Sequence, residues 1–283
     1  MKSNILYKIE NIECSYNSQQ QAVLVVEELD ILKGEVTFVI GSSGVGKSTF
    51  IESLGLMSNT INTANGVLNF EGEDILNIWE KGERELSRFR RNNFSFIFQN
   101  TNLFNNLTMI QNASITQVLR GRKIGQANGR SEKLIKEYLG DVFSDTIVDR
   151  SITQMSGGQR QRLAFVRAIA TEFKVLFADE PTGNLDPGNA NNLLSKLKSQ
   201  LPDHQSIIIV SHDINLAIKY ADKIVLINKE FHKDNTGYGL INKKSLFVKT
   251  NDCWLNDLNK IDIKNIFNHL SEKLNIQLKA NES

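Results

Sequence analysis

Residues 41 to 49 of the chain read Gly41-Ser42-Ser43-Gly44-Val45-Gly46-Lys47-Ser48-Thr49. Glycines at 41 and 46 followed by Lys-Ser match the spacing of a phosphate-binding loop. Glycine lets the backbone turn tightly enough to aim successive N–H groups at a polyphosphate. Lys47 adds a point charge for the outer phosphates, and the Ser48 hydroxyl is a suitable Mg²⁺ ligand. The stretch predicts a site for a nucleoside triphosphate.

The residues on either side of this loop have the pattern of a strand and a helix. Val36–Ile40 is a short apolar, β-branched run of the kind found in buried strands. Residues 48–54 have the composition to open a helix whose N-terminus faces an anion. The alternative is a Gly/Ser-rich turn that matches by accident, and the strand–loop–helix context disfavours it.

Composition sets the broad class of the protein. The chain has 283 residues, of which 40% are hydrophobic and 23% charged, enough for a core of one large or two modest domains. A net charge of +1 gives no electrostatic reason to expect a nucleic-acid partner. Cys14 and Cys253 match no metal spacing and are expected to be reduced thiols. We expect no signal peptide and no membrane-spanning segment.

Two carboxylates follow a second apolar run, at residues 175–178. The run predicts a buried strand that ends at Asp179 and Glu180, where adjacent carboxylates would repel if buried and unpaired. A Mg²⁺–phosphate site removes that difficulty. Asp179 would hold the hydration shell of the metal, and Glu180 would polarise an attacking water. A solvated acidic turn is the alternative, and the preceding apolar run disfavours it.

Three further segments carry candidate ligand-binding residues. His212 follows an apolar strand predicted at 207–210; a lone histidine is more often structural, but ligands collect at the carboxyl edge of such a sheet. Ser156-Gly157-Gly158-Gln159 precedes a long helix and offers a second anion-binding N-terminus, or is an ordinary loop. Tyr16 lies in a polar turn after a strand predicted at 4–12. It either stacks on an adenine or is a surface tyrosine, and local sequence leaves both open.

The remaining pattern predicts the organisation of the chain. Residues 23–26 and 29–32 predict two short strands, and residues 94–98 an aromatic strand with Gln99 at its end. From about 101 to 150, apolar residues at helical spacing predict two helical pieces, separated by glycines and polar residues at 121–131. This predicts a helical subdomain inserted between strands of the core. The basic cluster from Arg88 to Arg91 is interpreted as a solvated helix face.

The C-terminal part carries no predicted chemistry. Strands are expected around Gly237-Tyr238-Gly239. Residues 257–276 show helical spacing, which predicts an extra helix packed on the core or across a dimer. The residues that carry this spacing are Leu258, Ile261, Ile266, Phe267, Leu270 and Leu274.

Taken in order, these motifs resemble the nucleotide-binding subunit of ATP-binding-cassette (ABC) proteins over residues 3–228. The matching elements are the loop Gly41 to Thr49, Gln99, Met155-Ser156-Gly157-Gly158-Gln159, Asp179-Glu180, Asn184-Leu185-Asp186 and His212. The Ser-Gly-Gly-Gln signature discriminates this family from most other phosphate-loop families. Met155 stands where the family usually has leucine, a change of little expected consequence because the volumes are similar. The resemblance implies an α/β fold with a P-loop NTPase core, an antiparallel β subdomain, a helical subdomain at about 100–160 and an extension at 229–283.

The resemblance also implies a role for each matching residue. The loop residues Gly41, Ser42, Ser43, Gly44, Val45, Gly46, Lys47, Ser48 and Thr49 would hold the phosphates of ATP, and Tyr16 would stack on its adenine. Ser48, Gln99 and Asp179 would surround Mg²⁺. Glu180 would be the general base, and His212 would contact the γ-phosphate. Ser156, Gly158 and Gln159 would face ATP held by a second subunit, and Asp186 lies in the segment that crosses that interface.

The implied partners follow from the same resemblance. Residues 182–186, Thr-Gly-Asn-Leu-Asp, are similar to those of lipoprotein-release, macrolide-exporter and cell-division ATPases, although amino-acid importers look alike here. A transmembrane subunit would dock at residues 100–113 through Leu103, Phe104 and Leu107, unless these only pack the helical subdomain. A second copy, or a paralogous ATPase, would complete a head-to-tail dimer on the cytoplasmic face of the cell membrane.

The alternatives come from other classes of ATPase. A soluble ABC-superfamily ATPase of nucleic-acid maintenance or regulation normally carries a long coiled coil between the phosphate loop and the signature. The stretch between Ser48 and Met155 is short and shows no sustained heptads. A translation-factor ATPase would carry two cassettes, and a scaffold with a dead site is disfavoured because every expected catalytic residue is present. Importer, exporter and mechanical transmitter stay open.

Overall fold

A computed structural model describes residues 4–16, 21–62, 65–140, 152–257 and 259–279. In chain order the strands are β1 Ile5–Cys14, β2 Leu24–Leu32, β3 Val36–Ile40, β4 Val67–Phe70, β5 Glu73–Asp74, β6 Phe94–Ile97, β7 Val175–Asp179, β8 Ser206–Val210, β9 Lys223–Leu226, β10 Asn228–Phe231, β11 Gly237–Ile241, β12 Leu246–Lys249, β13 Cys253–Asn256 and β14 Asn259–Asp262. The helices are α1 Lys47–Leu54, α2 Glu83–Asn93, α3 Met109–Leu119, α4 Ile124–Leu139, α5 Gly157–Ile169, α6 Pro187–Gln200, α7 Ile214–Tyr220 and α8 Ile266–Lys279. Two compact units result: Met1–Arg88 with Leu201–Ser283, and Phe89–Gln200.

The first unit contains a largely antiparallel sheet with the strand order β10-β11-β2-β1-β4-β5. β1 pairs antiparallel with both β2 and β4, and its buried and exposed residues alternate over its second half. That alternation is typical of a sheet with one face on a core. β11 joins the sheet in parallel with β2, through the pair Gly239↔Leu24. The predicted antiparallel β subdomain is confirmed.

The same unit contains a second set of strands in the order β14-β13-β12-β9-β3-β8. β3 runs parallel to β8 on one side, at Val39↔Val210, and to β9 on the other, at Ile40↔Leu226. Every residue of β3, β8 and β9 is buried, as expected for parallel strands covered on both faces. The carboxyl ends of β3 and β8 therefore lie side by side, so the phosphate loop and His212 follow neighbouring strands.

A buried ion pair fixes the start of β3. Lys223 Nζ lies 3.1 Å from Glu35 Oε2 and also donates to the carbonyl oxygen of Asp30 at 2.6 Å. Both side chains of the pair are 7% exposed. The Glu35 carboxylate accepts two further bonds, from Thr37 Oγ1 at 2.9 Å and from the Leu32 amide at 3.1 Å. Both charges are thus compensated by hydrogen bonds as well as by each other.

The second unit is built from helices around two parallel strands. β6 and β7 pair in parallel through Ile97↔Ala178, while α3, α4 and α5 pack on one another and α5 packs on β6. The rings of Phe94 and Phe96 lie 5.3 and 5.4 Å from the ring of Phe177. The two predicted helical pieces are present as α3 and α4; residues 141–150 of that prediction lie outside the described residues. The domain limits predicted at 100–160 and 228/229 stay predictions.

Two boundary predictions within these units were wrong. Residues 23–26 and 29–32 do not form two strands but the single strand β2, because β1 continues to pair across the exposed Glu27 and Glu28. Residues 121–131 do not separate the two helices along their whole length, because α4 begins at Ile124. α4 includes Gly125 and Gly129, next to which a side chain would meet nothing within 4 Å. Packing of the other face of α4 outweighs their low helix propensity.

The helix predicted at 257–276 was wrong in its first part. Ile261 belongs to β14, where it pairs with Trp254 of β13, and α8 begins only at Ile266. β14 has four residues, of which only Ile261 is apolar, too few to show a periodicity that separates a strand from a helix. Ile266 and Leu270 are fully buried on α8, as the helical spacing predicts, and Leu258 lies outside the described residues.

Candidate nucleotide-binding site

The predicted phosphate loop connects β3 to α1. Gly44 and Gly46 have φ angles of +75° and +100°, which glycine adopts without a steric penalty. Gly46 is the N-cap residue of α1, so no side-chain cap accepts the first amides of the helix. Lys47 Nζ donates to the carbonyl oxygens of Gly41 and Ser42 at 2.9 and 2.8 Å. The loop therefore combines a cation, exposed amides and a helix N-terminus, which together suit an anion.

The interior of the loop supports this interpretation independently. Ser42 is 6% exposed, and its Oγ is buried without a hydrogen-bond partner in the described part of the chain. Such a group costs roughly 1–3 kcal/mol unless it is satisfied. A phosphate oxygen would supply the acceptor that this hydroxyl lacks. The donor set of the loop thus fits the polyphosphate of a nucleotide.

Two other predicted site residues, Tyr16 and His212, belong to the first unit. The Tyr16 hydroxyl lies 3.0 Å from Thr49 Oγ1 at the start of α1, while Tyr16 itself is 53% exposed. The hydroxyl is held by Thr49 while much of the side chain stays accessible, which suits a ring that stacks on a base. His212 is exposed after β8, between Ser211 and Asp213, whose amide donates to Ser211 Oγ at 3.0 Å.

In the second unit, two predicted Mg²⁺ ligands and the predicted general base lie at the ends of the neighbouring strands β6 and β7. Gln99 comes two residues after β6 and is exposed, while Asp179 ends β7 and Glu180 follows it. Because β6 and β7 are parallel, these three residues share one edge. Glu180 has a φ of +47°, a conformation that is uncommon for a residue other than glycine and concentrates at functional sites.

Gln161, which the sequence analysis did not identify as a site residue, holds the backbone of Glu180. Gln161 of α5 is 1% exposed, and its Nε2 lies 3.4 Å from the carbonyl oxygen of Glu180. Its Oε1 accepts from Asn184 Nδ2 at 3.2 Å. Gln161 thus joins the signature helix to the segments that carry Glu180 and Asn184. The available signal was a glutamine two residues after the signature, but its burial could not be read from the sequence.

The signature residues form the N-terminus of α5. Ser156 is the N-cap: its Oγ accepts from the Gln159 amide at 3.2 Å, and Gln159 Oε1 accepts from the Ser156 amide at 2.9 Å. This reciprocal pair is a capping box. A side chain on Gly158 would lie 3.2 Å from the carbonyl oxygen of Asn184, a tight contact that glycine avoids. The predicted helix start at the signature is confirmed.

Asp186 caps the next helix. Its Oδ1 accepts from the Asn189 amide at 3.0 Å and its Oδ2 from Asn189 Nδ2 at 2.5 Å. These bonds from the Asn189 amide and side chain favour the charged carboxylate and lower the pKa of Asp186 below its usual value. The segment that carries Asp186 is therefore ordered by its own helix.

Of the predicted Mg²⁺ ligands, Ser48 lies in the first turn of α1, and Gln99 and Asp179 lie at the carboxyl ends of β6 and β7; their role as ligands stays a prediction. Within the described ranges, no three His, Cys, Asp or Glu side chains cluster closely enough to hold a metal ion. A hydroxyl, an amide and a carboxylate are oxygen ligands of the type that Mg²⁺ takes together with substrate phosphates.

No helix among the described residues has both the length and the apolar character needed to cross a membrane.

Known proteins of similar sequence indicate the family of this chain. The family model for the ABC transporter matches residues 26–183. The chain is 36% identical over 210 residues to the macrolide export ATP-binding/permease protein MacB of Shewanella sp. (strain W3-18-1), covering 74% of this chain and 31% of MacB. It is 34% identical over 225 residues to the bacitracin export ATP-binding protein BceA of Halalkalibacterium halodurans, covering 77% and 83%. It is 29% identical over 238 residues to the lipoprotein-releasing system ATP-binding protein LolD of Wigglesworthia glossinidia brevipalpis, covering 83% and 100%.

Solved structures share the fold. The dimeric structure of MJ0796, a bacterial ABC transporter cassette, superposes with a TM-score of 0.65 at 25% identity, over 78% of this chain and 94% of that one. CbiO1 of Clostridium perfringens, part of the ABC transporter complex CbiONQ, superposes with a TM-score of 0.69 at 22% identity, over 98% and 97%. The second match shows likeness of fold alone.

The share of this chain that these matches cover establishes its family. The chain spans about a third of the length of the MacB relative that it matches, but most of the length of BceA. The family model covers more than half of the chain and includes the phosphate loop, the signature and Glu180. The predicted fold and family are therefore confirmed: this chain belongs to the ABC transporter family and is an ATP-binding cassette of the ABC-type ATPases.

Proposed function

We propose that this cassette is the ATP-hydrolysing subunit of a membrane ABC complex and works as a head-to-tail dimer. The observation that carries the proposal is the phosphate loop, in which Lys47, the start of α1 and the unpartnered Ser42 hydroxyl converge on one anion site. The dimer is supported by the arrangement of MJ0796, an ABC transporter cassette whose structure is dimeric.

Nucleotide binding is assigned to the loop from Gly41 to Thr49 and to Tyr16. The loop amides and Lys47 bind the phosphates, and the exposed Tyr16 ring stacks on the adenine. Mg²⁺ is assigned to Ser48, Gln99 and Asp179 and would supply positive charge that compensates the outer phosphates. Lys47 already lies over the loop carbonyls, so its charge is placed before ATP arrives.

Hydrolysis is assigned to Glu180, Gln99 and His212. The Glu180 carboxylate accepts a proton from the attacking water, whose oxygen forms the new bond to the γ-phosphorus as the bond to the ADP oxygen breaks. His212 contacts the γ-phosphate, and Gln99 orients the water. The left-handed backbone of Glu180, held by Gln161, fixes the direction of that carboxylate.

Completion of each site is assigned to the second copy or a paralogous ATPase. Ser156, Gly158 and Gln159 of one subunit face the γ-phosphate held by the other, and Asp186 lies in the segment that crosses between them. The capping box leaves the Ser156 backbone ordered at the exposed start of α5. ATP then acts as the ligand that joins two half-sites, and hydrolysis releases them.

The catalytic assignment is tested with Glu180→Gln. The variant keeps the size of the side chain but removes the proton acceptor, so we expect turnover to fall by about 10²–10⁴-fold. Binding of ATP, measured by fluorescence of a labelled analogue, should stay within about twofold of wild type because Glu180 does not hold the nucleotide. A matched control is Glu73→Gln, an exposed glutamate on β5 outside the proposed site. Near wild-type turnover in Glu180→Gln would exclude Glu180 as the base.

A transmembrane partner is proposed to dock at residues 100–113, on the cytoplasmic face of the cell membrane. Phe104 is 49% exposed, whereas Leu103 and Leu107 are only partly exposed, so Phe104 is the main apolar contact. Asn112 is fully buried and holds the loop: it accepts from the Phe104 amide at 2.8 Å and donates to the carbonyl oxygens of Phe104 and Leu107. An aromatic side chain presented on a fixed loop is a typical interface anchor.

A basic cavity of about 610 Å³ gives the same unit an electrostatic feature that composition did not predict. Arg91, Arg120 and Arg122 line it, together with Glu172. Burial and the nearby charge of Arg91 lower the pKa of Arg120. The cluster from Arg88 to Arg91, interpreted as a solvated face, therefore contributes Arg91 to a cavity. We assign this cavity to an acidic side chain of the same membrane partner.

The partner is tested by a tagged pull-down from detergent-solubilised membranes of the native cells, with mass spectrometry. We expect wild type to recover a membrane-spanning protein and Phe104→Ala or Arg122→Glu to recover less of it. Phe267→Ala, which changes a phenylalanine on α8 that is 41% exposed, should recover as much as wild type. A partner with few spanning helices and a large extracytoplasmic domain favours mechanical transmission, and a many-helix permease favours transport. Recovery of only soluble or nucleic-acid-associated proteins would overturn the membrane assignment while leaving ATP hydrolysis intact.

A further inference from the structure

The hairpin β10–β11 lies beyond residues 26–183 and had no predicted chemistry, yet it contacts the phosphate loop. A methyl group added to Gly239 would lie 2.1 Å from the carbonyl oxygen of Val45, 2.7 Å from Ile227 Cγ2 and 3.1 Å from Leu24 Cδ1. The Gly239 backbone therefore packs directly on the backbone of the loop. No residue with a Cβ fits at 239 unless Val45 moves.

The contact is fixed from the other side as well. The Gly239 amide donates to the carbonyl oxygen of Val23 at 2.9 Å, in the parallel ladder between β11 and β2. A side chain on Gly46 would meet that same Val23 oxygen at 3.2 Å. Val45 and Gly46 are thus held between the start of β2 and β11. Both neighbours are hydrogen-bonded strands of one sheet, so the position of the loop is set by their spacing.

The tip of the hairpin holds the chain just ahead of β2. Gln21 Nε2 donates to Asp234 Oδ2 at 3.0 Å, and Thr236 Oγ1 donates to Gln21 Oε1 at 2.6 Å. His232 Nε2 lies 2.9 Å from the carbonyl oxygen of Ala22. These bonds keep residues 21–22 on the hairpin and so stabilise the start of β2, against which Gly46 packs.

We propose that Gly239 is a positioning residue of the nucleotide site, whose close approach to Val45 holds the phosphate loop in its binding geometry. The inference rests on the proposed function, because it assigns the hairpin a part in binding the same nucleotide. Gly239 touches no phosphate itself. It acts through the Val45 carbonyl, and a displacement of the loop by about 1 Å would move its amides out of the range of about 2.7–3.2 Å in which N–H···O hydrogen bonds form.

The hairpin offers a matched control at Gly237, two residues earlier on the same face of β11. A methyl group there would meet Lys229 Cε at 2.6 Å, the far end of a flexible side chain that moves away at little cost. Neither glycine has a positive φ, so alanine is compatible with the backbone at both positions. The two substitutions therefore differ in what the new methyl group meets.

The experiment compares Gly239→Ala, Gly237→Ala and wild type by titration with a fluorescent ATP analogue and by steady-state ATPase kinetics. We expect Gly239→Ala to weaken binding about 10- to 10²-fold and to raise KM more than it lowers kcat, and Gly237→Ala to stay within about twofold of wild type. Equal binding by Gly239→Ala and wild type would overturn the inference. A drop in unfolding midpoint with unchanged affinity of the folded protein would also overturn it, because Gly239 would then act on stability alone.

If Gly239→Ala does not fold, a second measurement on wild type tests whether Gly239 positions the phosphate loop. Amide hydrogen exchange is followed with and without the ATP analogue. We expect nucleotide to slow exchange in the loop and also in β11, whose Gly239 amide is bonded to Val23, while β14 is unchanged. Slowing in the loop without slowing in β11 would refute the inference. Failure of wild type to bind any nucleotide would instead refute the proposed function.

Discussion

The buried ion pair between Lys223 and Glu35 leads to a quantitative prediction. Replacing Lys223 by methionine leaves the Glu35 carboxylate 7% exposed without its cation. Removing one partner of a buried pair costs about 3–5 kcal/mol. Glu35 keeps two donors, Thr37 Oγ1 at 2.9 Å and the Leu32 amide at 3.1 Å, so we expect the lower end, about 3 kcal/mol. This corresponds to about 6–12 °C in Tm.

The double variant Glu35→Gln/Lys223→Met separates the charge from the packing. It removes the uncompensated carboxylate, so it should recover most of the loss, and its free energy of unfolding should lie within about 1 kcal/mol of wild type. Urea unfolding followed by circular dichroism measures all variants. Lys8→Met is the control, because its ion pair with Glu10 is solvent-exposed, and we expect its midpoint to match wild type. If Lys223→Met unfolds at the wild-type midpoint, or if the double variant is less stable than Lys223→Met, the reasoning about this pair is refuted.

Three further predictions concern single residues. Burial raises the pKa of the Cys14 thiol to about 11, so its alkylation by iodoacetamide should be slow at pH 8 and rapid only in urea, and fast alkylation of the native protein at pH 8 would contradict the raised pKa. Because the native thiol resists ionisation, the free energy of unfolding should fall as pH rises from about 9 to about 11. Arg167 donates to the carbonyl oxygen of Asn102 at 2.7 Å, so Arg167→Met should speed amide exchange at residues 100–104 without unfolding α5, and unchanged exchange would exclude this role. Gln161→Leu should lower kcat about tenfold while ATP affinity is kept, since it releases the Glu180 backbone, and an unchanged kcat would show that this contact does not position the base.

The parts of the site that were predictable are those with short-range signals. The loop from Gly41 to Thr49 is recognisable because its chemistry depends on the spacing of consecutive residues. β3 and β8 are predictable because a strand buried on both faces must be apolar throughout. Ser156 was predicted at a helix start, and the capping box with Gln159 gives the physical reason.

The parts that were missed depend on contacts between residues distant in sequence. Gly239 looks like an ordinary turn glycine until β11 is placed beside β2, which brings it onto Val45. Gln161 is one of several polar residues after the signature, and only the fold shows that it is buried. β14 was predicted as the start of a helix because a four-residue strand carries too little periodicity to be distinguished.

The capping box at the start of α5 has a consequence for what the signature serine can offer a ligand. A serine hydroxyl carries one proton to donate and two lone pairs to accept. In this chain one lone pair of Ser156 Oγ is taken by the Gln159 amide, an arrangement that fixes the oxygen but does not consume its proton. The Ser156 hydroxyl is thus a hydrogen-bond donor whose oxygen is already held in place by α5 before any second subunit binds. Replacement by alanine would remove donor and cap together, whereas aspartate would keep the cap but present a negative charge where the proposed dimer places a phosphate.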